Sequence, residues 1–241
     1  MALEDVTSTA LQEAITDVVT EMRTARRKAI ERHPSDRKRW EYDGRTWYWP
    51  GGEELPYFFE LCDGEDEVLS ALEARFGLTR VGVGTGRVAL AVPVGNESID
   101  AAATSGSITT PDGGESGPSE ADRVIKLARY GPSAEMGDGR RQNRREQTLW
   151  ATIAAHPFLP VIDADPDGDW ILMPRVRVRT ADDPETEPAL RAVRETLNPY
   201  ADRVHFDELK PENVGRWRGR DWLVDYGRPP TDGPERGVDR F

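Results

Sequence analysis

Four side chains in the second half of the chain have the types that phosphate and metal chemistry requires. Lys126 lies in an apolar run on a predicted strand, where a lysine is costly to bury without an anionic partner. Glu146 follows on a predicted helix and is the candidate partner. Asn213 and Asp225 lie near the C-terminus, and hard oxygen donors of this kind hold Mg²⁺ together with phosphate oxygens. The spacing therefore predicts a site for phosphate and a divalent cation.

The motifs around these residues occur in an order that resembles the protein-kinase-like superfamily. They are Val124-Ile-Lys126, the helix residue Glu146, Leu209-Lys-Pro-Glu-Asn213 and Asp225-Tyr-Gly227. The resemblance implies a lysine on the third strand, its partner glutamate on a helix, a catalytic loop and a metal-binding triplet. It therefore implies ATP and Mg²⁺ as cofactors, with Lys126 and Glu146 at the nucleotide. Asn213 and Asp225 would be the metal ligands.

The resemblance covers about residues 79–228, and it includes two further nucleotide-binding segments. The run from Gly82 through Gly84 to Gly86 is one residue shorter than the glycine loop of the family, so it is either that loop or a tight hairpin turn. The run Trp170–Pro174 resembles the strand that leads into the adenine-binding hinge, which makes Met173 a candidate contact. The segments Gly139–Glu146 and Asn213–Gly215 are similar to small kinase-related proteins of haloarchaea and tailed viruses.

Two residues are candidates for the catalytic carboxylate that orients the acceptor hydroxyl. The family pattern places an aspartate five residues before the asparagine, and Glu208 occupies that position here. Asp207 fits only if one residue is inserted. Glutamate is longer by one methylene, which displaces a base that must reach the hydroxyl within hydrogen-bond distance. Both residues therefore stay open as candidates.

The short stretch after the Asp225-Tyr-Gly227 triplet predicts a reduced C-terminal lobe. Only the 14 residues Arg228 to Phe241 follow it. We expect neither an activation segment nor the helices that bind protein substrates. A phosphotransferase of this size would act on a small molecule or on one partner protein.

The charge balance limits the classes of molecule that the chain is expected to bind. The chain has 32 basic and 44 acidic residues, a net charge of −12, and only four of the basic residues are lysines. This acidic, arginine-rich composition is typical of proteins from salt-loving archaea or their viruses, although a GC-rich genome also produces it. The negative charge disfavours nucleic acid and anionic membranes as bulk partners.

Other features of the composition exclude several protein classes. Cys62 is the only cysteine, which rules out an internal disulfide framework and a cysteine-based zinc site. No apolar run reaches the roughly 18–20 residues of a membrane span, and the N-terminus has no signal-peptide pattern. We expect a cytoplasmic protein, located in the host cytoplasm or in the virus particle if its origin is viral.

The predicted fold class is α+β, a minimal protein-kinase-like fold with an antiparallel N-lobe sheet plus helix and a reduced C-lobe. Residues 1–78 are predicted as an extension with a helix over 4–32, a hairpin at Trp40–Trp49 and a helix over 65–76. Residues 79–241 form the predicted kinase-like domain, with an insert at 95–121 that is poor in apolar residues and is expected to be mobile.

The elements predicted for the second domain alternate between strands and helices. The strands are predicted at Thr79–Val83, Arg87–Val94, Arg123–Arg129, Phe158–Asp163 and Asp169–Met173, and the helices at 140–155 and 184–200. A final hairpin-like unit is framed by Val204–Asn213 and Trp222–Asp225. The alternating aspartates from Asp163 to Asp169 resemble a calcium loop but lack its later glutamate, so they are predicted to form a solvated turn.

Three functions remain open from the sequence. The first is a phosphotransferase that binds ATP and Mg²⁺. The second is a catalytically inactive, pseudokinase-like protein whose N-terminal helix and hairpin bind a protein partner, for example in a virus particle. The third is a nucleic-acid-associated protein that uses the basic stretch 23–39, although cations at a helix C-terminus are also favoured by the helix dipole.

Overall fold

The structure is a computed structural model. It describes residues 9–32, 37–42, 45–50, 60–93, 122–131, 138–203 and 209–228, with the backbone alone for 37–42 and 45–50. Within these ranges no helix has the length and apolar character needed to cross a bilayer.

The protein has an α+β fold with antiparallel sheets. The helices are α1 (Thr9–Arg32), α2 (Asp63–Phe76), α3 (Gly139–Ile153) and α4 (Thr186–Leu197), with short 3-10 turns at Asn198–Tyr200 and Pro211–Asn213. The strands are β1 (Arg37–Tyr42), β2 (Arg45–Pro50), β3 (Thr79–Val83), β4 (Arg87–Val92), β5 (Arg123–Ala128), β6 (Asp163–Ala164), β7 (Trp170–Pro174), β8 (Arg177–Val178), β9 (Val214–Trp217) and β10 (Arg220–Leu223).

A five-stranded sheet in the order β3-β4-β5-β7-β6 positions the predicted site. All of its strand pairs are antiparallel. On the central strand β5, Lys126 lies between Ala89 of β4 and Ile171 of β7. Because side chains alternate along a strand, Lys126 faces the opposite side of the sheet from its neighbours Ile125 and Leu127.

The first face of the sheet is covered by α1 and α2. Leu11, Ile15, Val19 and Met22 recur at helical spacing along α1 and are buried. They share one core with residues of α2 and of the sheet, namely Leu69, Leu72, Phe76, Val88, Leu90, Ile125, Leu127 and Trp170. The division of the chain at residue 78 stays a prediction, but these helices of the first segment pack directly on the sheet.

The second face of the sheet packs against α3 and the C-terminal elements. This core includes Leu149, Phe158, Ile171, Met173, Leu190, Val193, Val214, Leu223 and Tyr226. The strands β8, β9 and β10 form a separate three-stranded sheet. The segment around Phe158 connects the two parts, because Leu159 donates its backbone N–H to Leu223 and Leu223 donates to Pro157.

Most of the predicted elements are confirmed where the structure describes them. The helices α1 to α4 and the strands β3, β4, β5 and β7 lie within a few residues of their predicted bounds, and β1 pairs antiparallel with β2 as the predicted hairpin requires. The start of the first predicted helix, the hairpin turn and the insert at 95–121 lie outside the described residues.

One strand prediction is wrong, and the prediction of a final hairpin is confirmed in part. Phe158–Asp163 contributes only its last residue to β6, and Phe158 forms an isolated bridge with Leu223. Pro157 and Pro160 lack the backbone N–H that a regular ladder requires, which explains the interruption. The final hairpin is formed by β9 and β10 around Arg218-Gly219, both with positive φ (49° and 74°). It lies between the two segments predicted to frame it and includes Trp222 and Leu223 of the second, whereas residues 204–208 of the first lie outside the described part of the chain.

Candidate functional site

The predicted lysine, glutamate and aspartate meet in one network together with an arginine that was not predicted. Arg87 is the first residue of β4, Lys126 lies on β5, Glu146 lies on α3, and Asp225 follows β10. We call these four residues the open charge cluster. It lies on the face of the sheet that packs against α3.

Glu146 is the centre of the open charge cluster. It is fully buried and forms ion pairs with Lys126 Nζ at 3.1 Å and with Arg87 Nη1 at 2.9 Å. Its Oε1 also accepts the backbone N–H groups of Tyr226 (3.0 Å) and Gly227 (3.1 Å). The predicted Lys126–Glu146 ion pair is therefore confirmed, whereas the role of these two residues in nucleotide binding stays a prediction.

The Asp-Tyr-Gly triplet is held against α3 by several contacts. Tyr226 is buried and its hydroxyl donates to the carbonyl oxygen of Leu159 at 2.7 Å. A Cβ atom at Gly227 would lie 2.6 Å from the carbonyl oxygen of Gln142, so only glycine permits this approach. These contacts fix the backbone that carries Asp225.

Asp225 is the member of the open charge cluster that reaches solvent. Its side chain is 47% exposed, whereas those of Arg87 and Lys126 are 7% and 12% exposed. Its Oδ1 lies 2.5 Å from Arg87 Nη2. Desolvation by the surrounding protein raises the pKa of the carboxyl, but Arg87 and Lys126 outweigh this effect and lower the pKa to about 2. The carboxyl group of Asp225 is therefore ionised at neutral pH.

Burial also changes the pKa values of Lys126 and Arg87, the two cations of the open charge cluster. Desolvation, and then the adjacent Arg87, lower the pKa of Lys126 below its ordinary value, against the opposing effects of Glu146 and Asp225. Lys126 Nζ also donates to the carbonyl oxygen of Val224 at 2.5 Å. For Arg87, desolvation lowers the pKa, but Asp225 and Glu146 together raise it above the usual value.

Asn213 contacts the segment that carries Asp225 through its backbone. Its carbonyl oxygen accepts the N–H of Val224, the residue before Asp225, at 2.9 Å. Both side chains are partly or largely open to solvent, and both offer the hard oxygen atoms that Mg²⁺ prefers. In the described part of the chain no group of three or more His, Cys, Asp or Glu residues is arranged to hold a metal. Asn213 and Asp225 offer two hard oxygen ligands of the kind that fits Mg²⁺, and water or phosphate oxygens would have to complete its coordination.

The other predicted site residues have mixed outcomes. Gly84 donates its N–H to the carbonyl oxygen of Arg87 at 2.8 Å, so the glycine run is a tight hairpin turn between β3 and β4, and Gly82 lies within β3. Met173 is fully buried in the core of the second face. Asp207 and Glu208 lie outside the described residues. The roles of all these residues in binding or catalysis stay predictions.

A second group of charged residues lies behind the hairpin turn, on the other face of the sheet. We call Arg26 of α1, Glu65 of α2 and Arg129 after β5 the closed charge cluster, because each side chain is at most 1% exposed. Arg129 forms a two-point ion pair with Glu65, at 2.8 and 2.9 Å. Desolvation, and then Arg129, lower the pKa of Arg26 to about 9.

The closed charge cluster holds the hairpin turn through its carbonyl oxygens. Arg26 Nη1 donates to Thr85 (2.6 Å), and Arg129 Nη1 donates to Gly84 (2.6 Å). Arg26 Nη1 also donates to Tyr130 at 2.7 Å. The turn is therefore bound to α1 and to the end of β5.

Two arginines at the basic end of α1 make contacts inside the protein, whereas Arg27, Lys28 and Arg32 are exposed. Arg26 is buried, and Arg23 pairs with Asp138, the N-cap of α3, at 2.8 Å. These two arginines are therefore not available to a nucleic acid, and this weakens the third function considered above. In the aspartate turn, Asp163 and Asp167 are exposed as predicted, but Asp169 is buried and paired with Arg140.

Several residues of the two clusters were missed by the sequence reasoning, although strand alternation carries a signal for some of them. Arg129 continues the alternation of Ile125 and Leu127, which places it on the side of α1 and α2. On α3, Asn143 lies three residues before Glu146 and shares its helix face; its Nδ2 donates to the carbonyl oxygen of Gly168 at 2.9 Å.

The comparisons with known proteins give no family. No protein-family model matches the chain, and no curated protein is significantly similar to it. A functional assignment therefore depends on the geometry of the charge clusters.

Proposed function

We propose that the chain binds ATP together with Mg²⁺ in a site of the protein-kinase-like type, and that it is a minimal phosphotransferase. The observation that carries this proposal is the open charge cluster. A strand lysine, a helix glutamate and the aspartate of an Asp-Tyr-Gly triplet belong to one network, in the order that the family uses.

The architecture around the cluster supports the same reading. The chain runs β3, β4, β5 and then α3, so Lys126 lies on the third strand of an antiparallel sheet and Glu146 on the helix that follows. In protein kinases the corresponding lysine–glutamate ion pair must be in place for activity. Here the pair is present, with Lys126 Nζ 3.1 Å from Glu146 Oε2.

The chemistry required of the protein is positioning and electrostatic stabilisation, because phosphoryl transfer needs little covalent participation. Lys126, fixed by Glu146 and by the carbonyl of Val224, would bind phosphate oxygens. Asn213 and Asp225 would hold Mg²⁺, which neutralises charge on the phosphate oxygens when bound. Asp207 or Glu208 would orient the acceptor hydroxyl of a small molecule or of one partner protein.

One observation favours a second candidate function. The glycine turn is bound through its carbonyl oxygens to Arg26 and Arg129, and Asp225 is bound to Arg87, so these segments have structural partners within the protein. A pseudokinase-like protein would keep these residues for the fold alone. Its N-terminal region would then bind a protein partner, in the host cytoplasm or in a virus particle.

Measurements of ATP binding and of phosphoryl transfer on the same protein distinguish the two candidate functions. Isothermal titration with ATP in high salt, with Mg²⁺ or with a chelator, tests binding, and transfer from γ-labelled ATP tests turnover. We expect binding that needs Mg²⁺ and is lost in Lys126→Met. The control is Arg80→Gln, which removes a cation on β3 outside the open charge cluster. Binding without transfer would support the pseudokinase-like candidate. Absence of binding at millimolar ATP would contradict the nucleotide proposal.

A further inference from the structure

Arg87 forms an ion pair with Asp225, the carboxylate that the proposed function assigns to the metal. Its Nη2 lies 2.5 Å from Asp225 Oδ1, and its Nη1 lies 2.9 Å from Glu146 Oε1. We propose that Arg87 is a positioning residue that competes with the divalent cation for Asp225, so that metal binding requires the Arg87–Asp225 ion pair to open. The inference rests on the proposed role of Asp225 as a metal ligand.

Arg87 is fixed from the side of the sheet and of α3. Its carbonyl oxygen accepts the N–H of Gly84 and so closes the hairpin turn, which limits movement of its backbone. The Nη1 atom also lies 3.4 Å from Asn143 Oδ1. Arginine has five donors in a planar fork, so it can keep Glu146 and Asn143 on one edge while it releases Asp225 from the other.

The charges of the open charge cluster explain why the two cations exclude each other. The formal charges of Arg87 and Lys126 balance those of Glu146 and Asp225, so the four side chains together have no net charge. A divalent cation on Asp225 would add two positive charges beside the buried cations Arg87 and Lys126. Glu146 cannot compensate the added charge by binding the metal, because it is fully buried. Separation of Arg87 from Asp225 relieves this repulsion.

The exposure pattern shows where the competition takes place. Asp225 is 47% exposed, so a hydrated cation can reach it from solvent, whereas Arg87 approaches it from the interior. The carboxylate is therefore shared between an internal cation and an external one. Removal of the internal cation should raise the affinity of the external one.

The test measures the affinity of the full chain for Mn²⁺, added without nucleotide in high salt. Electron paramagnetic resonance reports the bound fraction of the ion. We expect Arg87→Gln to bind Mn²⁺ at least about tenfold more tightly than the unmodified protein. The single variant Asp225→Asn gives the background from other carboxylates, and the double variant Arg87→Gln, Asp225→Asn should return to that background. Unchanged or weaker Mn²⁺ binding by Arg87→Gln would overturn the proposal.

A second variant keeps the test decisive if Arg87→Gln does not fold. Arg87→Lys retains one charge but has no planar fork, so it cannot hold both carboxylates in the same way. We expect it to bind Mn²⁺ about threefold more tightly than the unmodified protein, and an unchanged or weaker affinity would contradict the competition.

Nucleotide binding, measured on the same proteins, separates this inference from the proposed function. If Arg87→Gln gains Mn²⁺ affinity while none of the proteins binds ATP, the competition stands and the ATP proposal falls. If the unmodified protein binds ATP with Mg²⁺ while Mn²⁺ affinity does not respond to Arg87, the competition falls and the ATP proposal stands.

Discussion

The two charge clusters differ in their access to solvent, although both contain arginines and a glutamate in the interior. In the closed charge cluster every side chain is buried, and the arginines donate to Glu65 and to backbone carbonyls. The open charge cluster reaches solvent through Asp225. Burial of charge is therefore common to both, and the exposed carboxylate distinguishes the candidate site from the structural network.

The difference in solvent access also determines how each cluster can respond to a ligand. The closed charge cluster joins α1, α2 and the hairpin turn, and an added ion would have to break contacts that hold these elements together. The open charge cluster can exchange one ion pair at its rim and keep Glu146 bound to Lys126. We therefore expect mutations in the first cluster to act mainly on stability and mutations in the second mainly on ligand binding.

The largest effect is expected from Glu65→Gln in the closed charge cluster. Glutamine can keep the capping contact at the start of α2, so the variant removes mainly the charge that compensates Arg129. An unpaired buried charge costs about 3–5 kcal/mol in the free energy of unfolding. Denaturant unfolding monitored by circular dichroism measures it.

The control for this prediction is an exposed carboxylate of the same helix that pairs with β3. Asp66 pairs with Arg80 at 2.6 Å and is 56% exposed, so Asp66→Asn should cost less than about 1 kcal/mol. Equal destabilisation by Glu65→Gln and Asp66→Asn would show that the closed charge cluster does not stabilise the fold as described.

An intermediate effect is expected from Arg26→Met, which keeps an unbranched side chain but removes the donors to Thr85 and Tyr130. Loss of a donor to a buried carbonyl costs about 1–3 kcal/mol, and removal of a desolvated positive charge offsets part of that cost. Amide hydrogen exchange should become faster at the hairpin turn around Thr85. Unchanged exchange there would show that α1 does not hold the turn.

The smallest effect is expected from the pH dependence of the open charge cluster. The pKa of Asp225 is lowered to about 2 in the folded protein, against an ordinary value of about 3.9. The folded state thus binds its proton less readily, so Asp225 adds stability above about pH 4 and loses it as the pH falls towards 2. Since the side chain is 47% exposed, we expect at most about 1 kcal/mol.

The measurement compares the unfolding free energy of the unmodified protein with that of Asp225→Asn between pH 7 and pH 2. The difference between the two proteins should be constant above about pH 5 and should shrink below pH 4. A difference that stays constant down to pH 2 would contradict the ion pair between Asp225 and Arg87.

The sequence was sufficient for the parts of the site that follow from local patterns. Lys126 and Glu146 could be paired because a strand and the next helix of an antiparallel fold lie side by side, and the pair is present at 3.1 Å. The helices α1 to α4 could be predicted because their apolar residues recur at helical spacing. Both inferences depend on residues that are close along the chain or on adjacent elements.

The missed features depend on contacts over long separations or on unusual turns. Arg87 and Asp225 are 138 residues apart, and Arg26 lies 59 residues from Thr85, so their contacts depend on how the elements pack. The turn and the strand bounds of the β9–β10 hairpin were not predicted because Arg218-Gly219 is not one of the common turn pairs, although both residues have the positive φ that the turn requires.

The central claim is that the open charge cluster is a ligand site and not a second structural network. The most direct test is the melting temperature of the unmodified protein and of Asp225→Asn in high salt, with and without ATP and Mg²⁺. At ATP concentrations about 100 times the Kd, the ligand should stabilise the native state by about 2.7 kcal/mol. That corresponds to a rise of roughly 5–10 °C for a chain of this size. We predict this rise for the unmodified protein and loss of its Mg²⁺-dependent part in Asp225→Asn, whereas no rise at millimolar ATP would contradict the account.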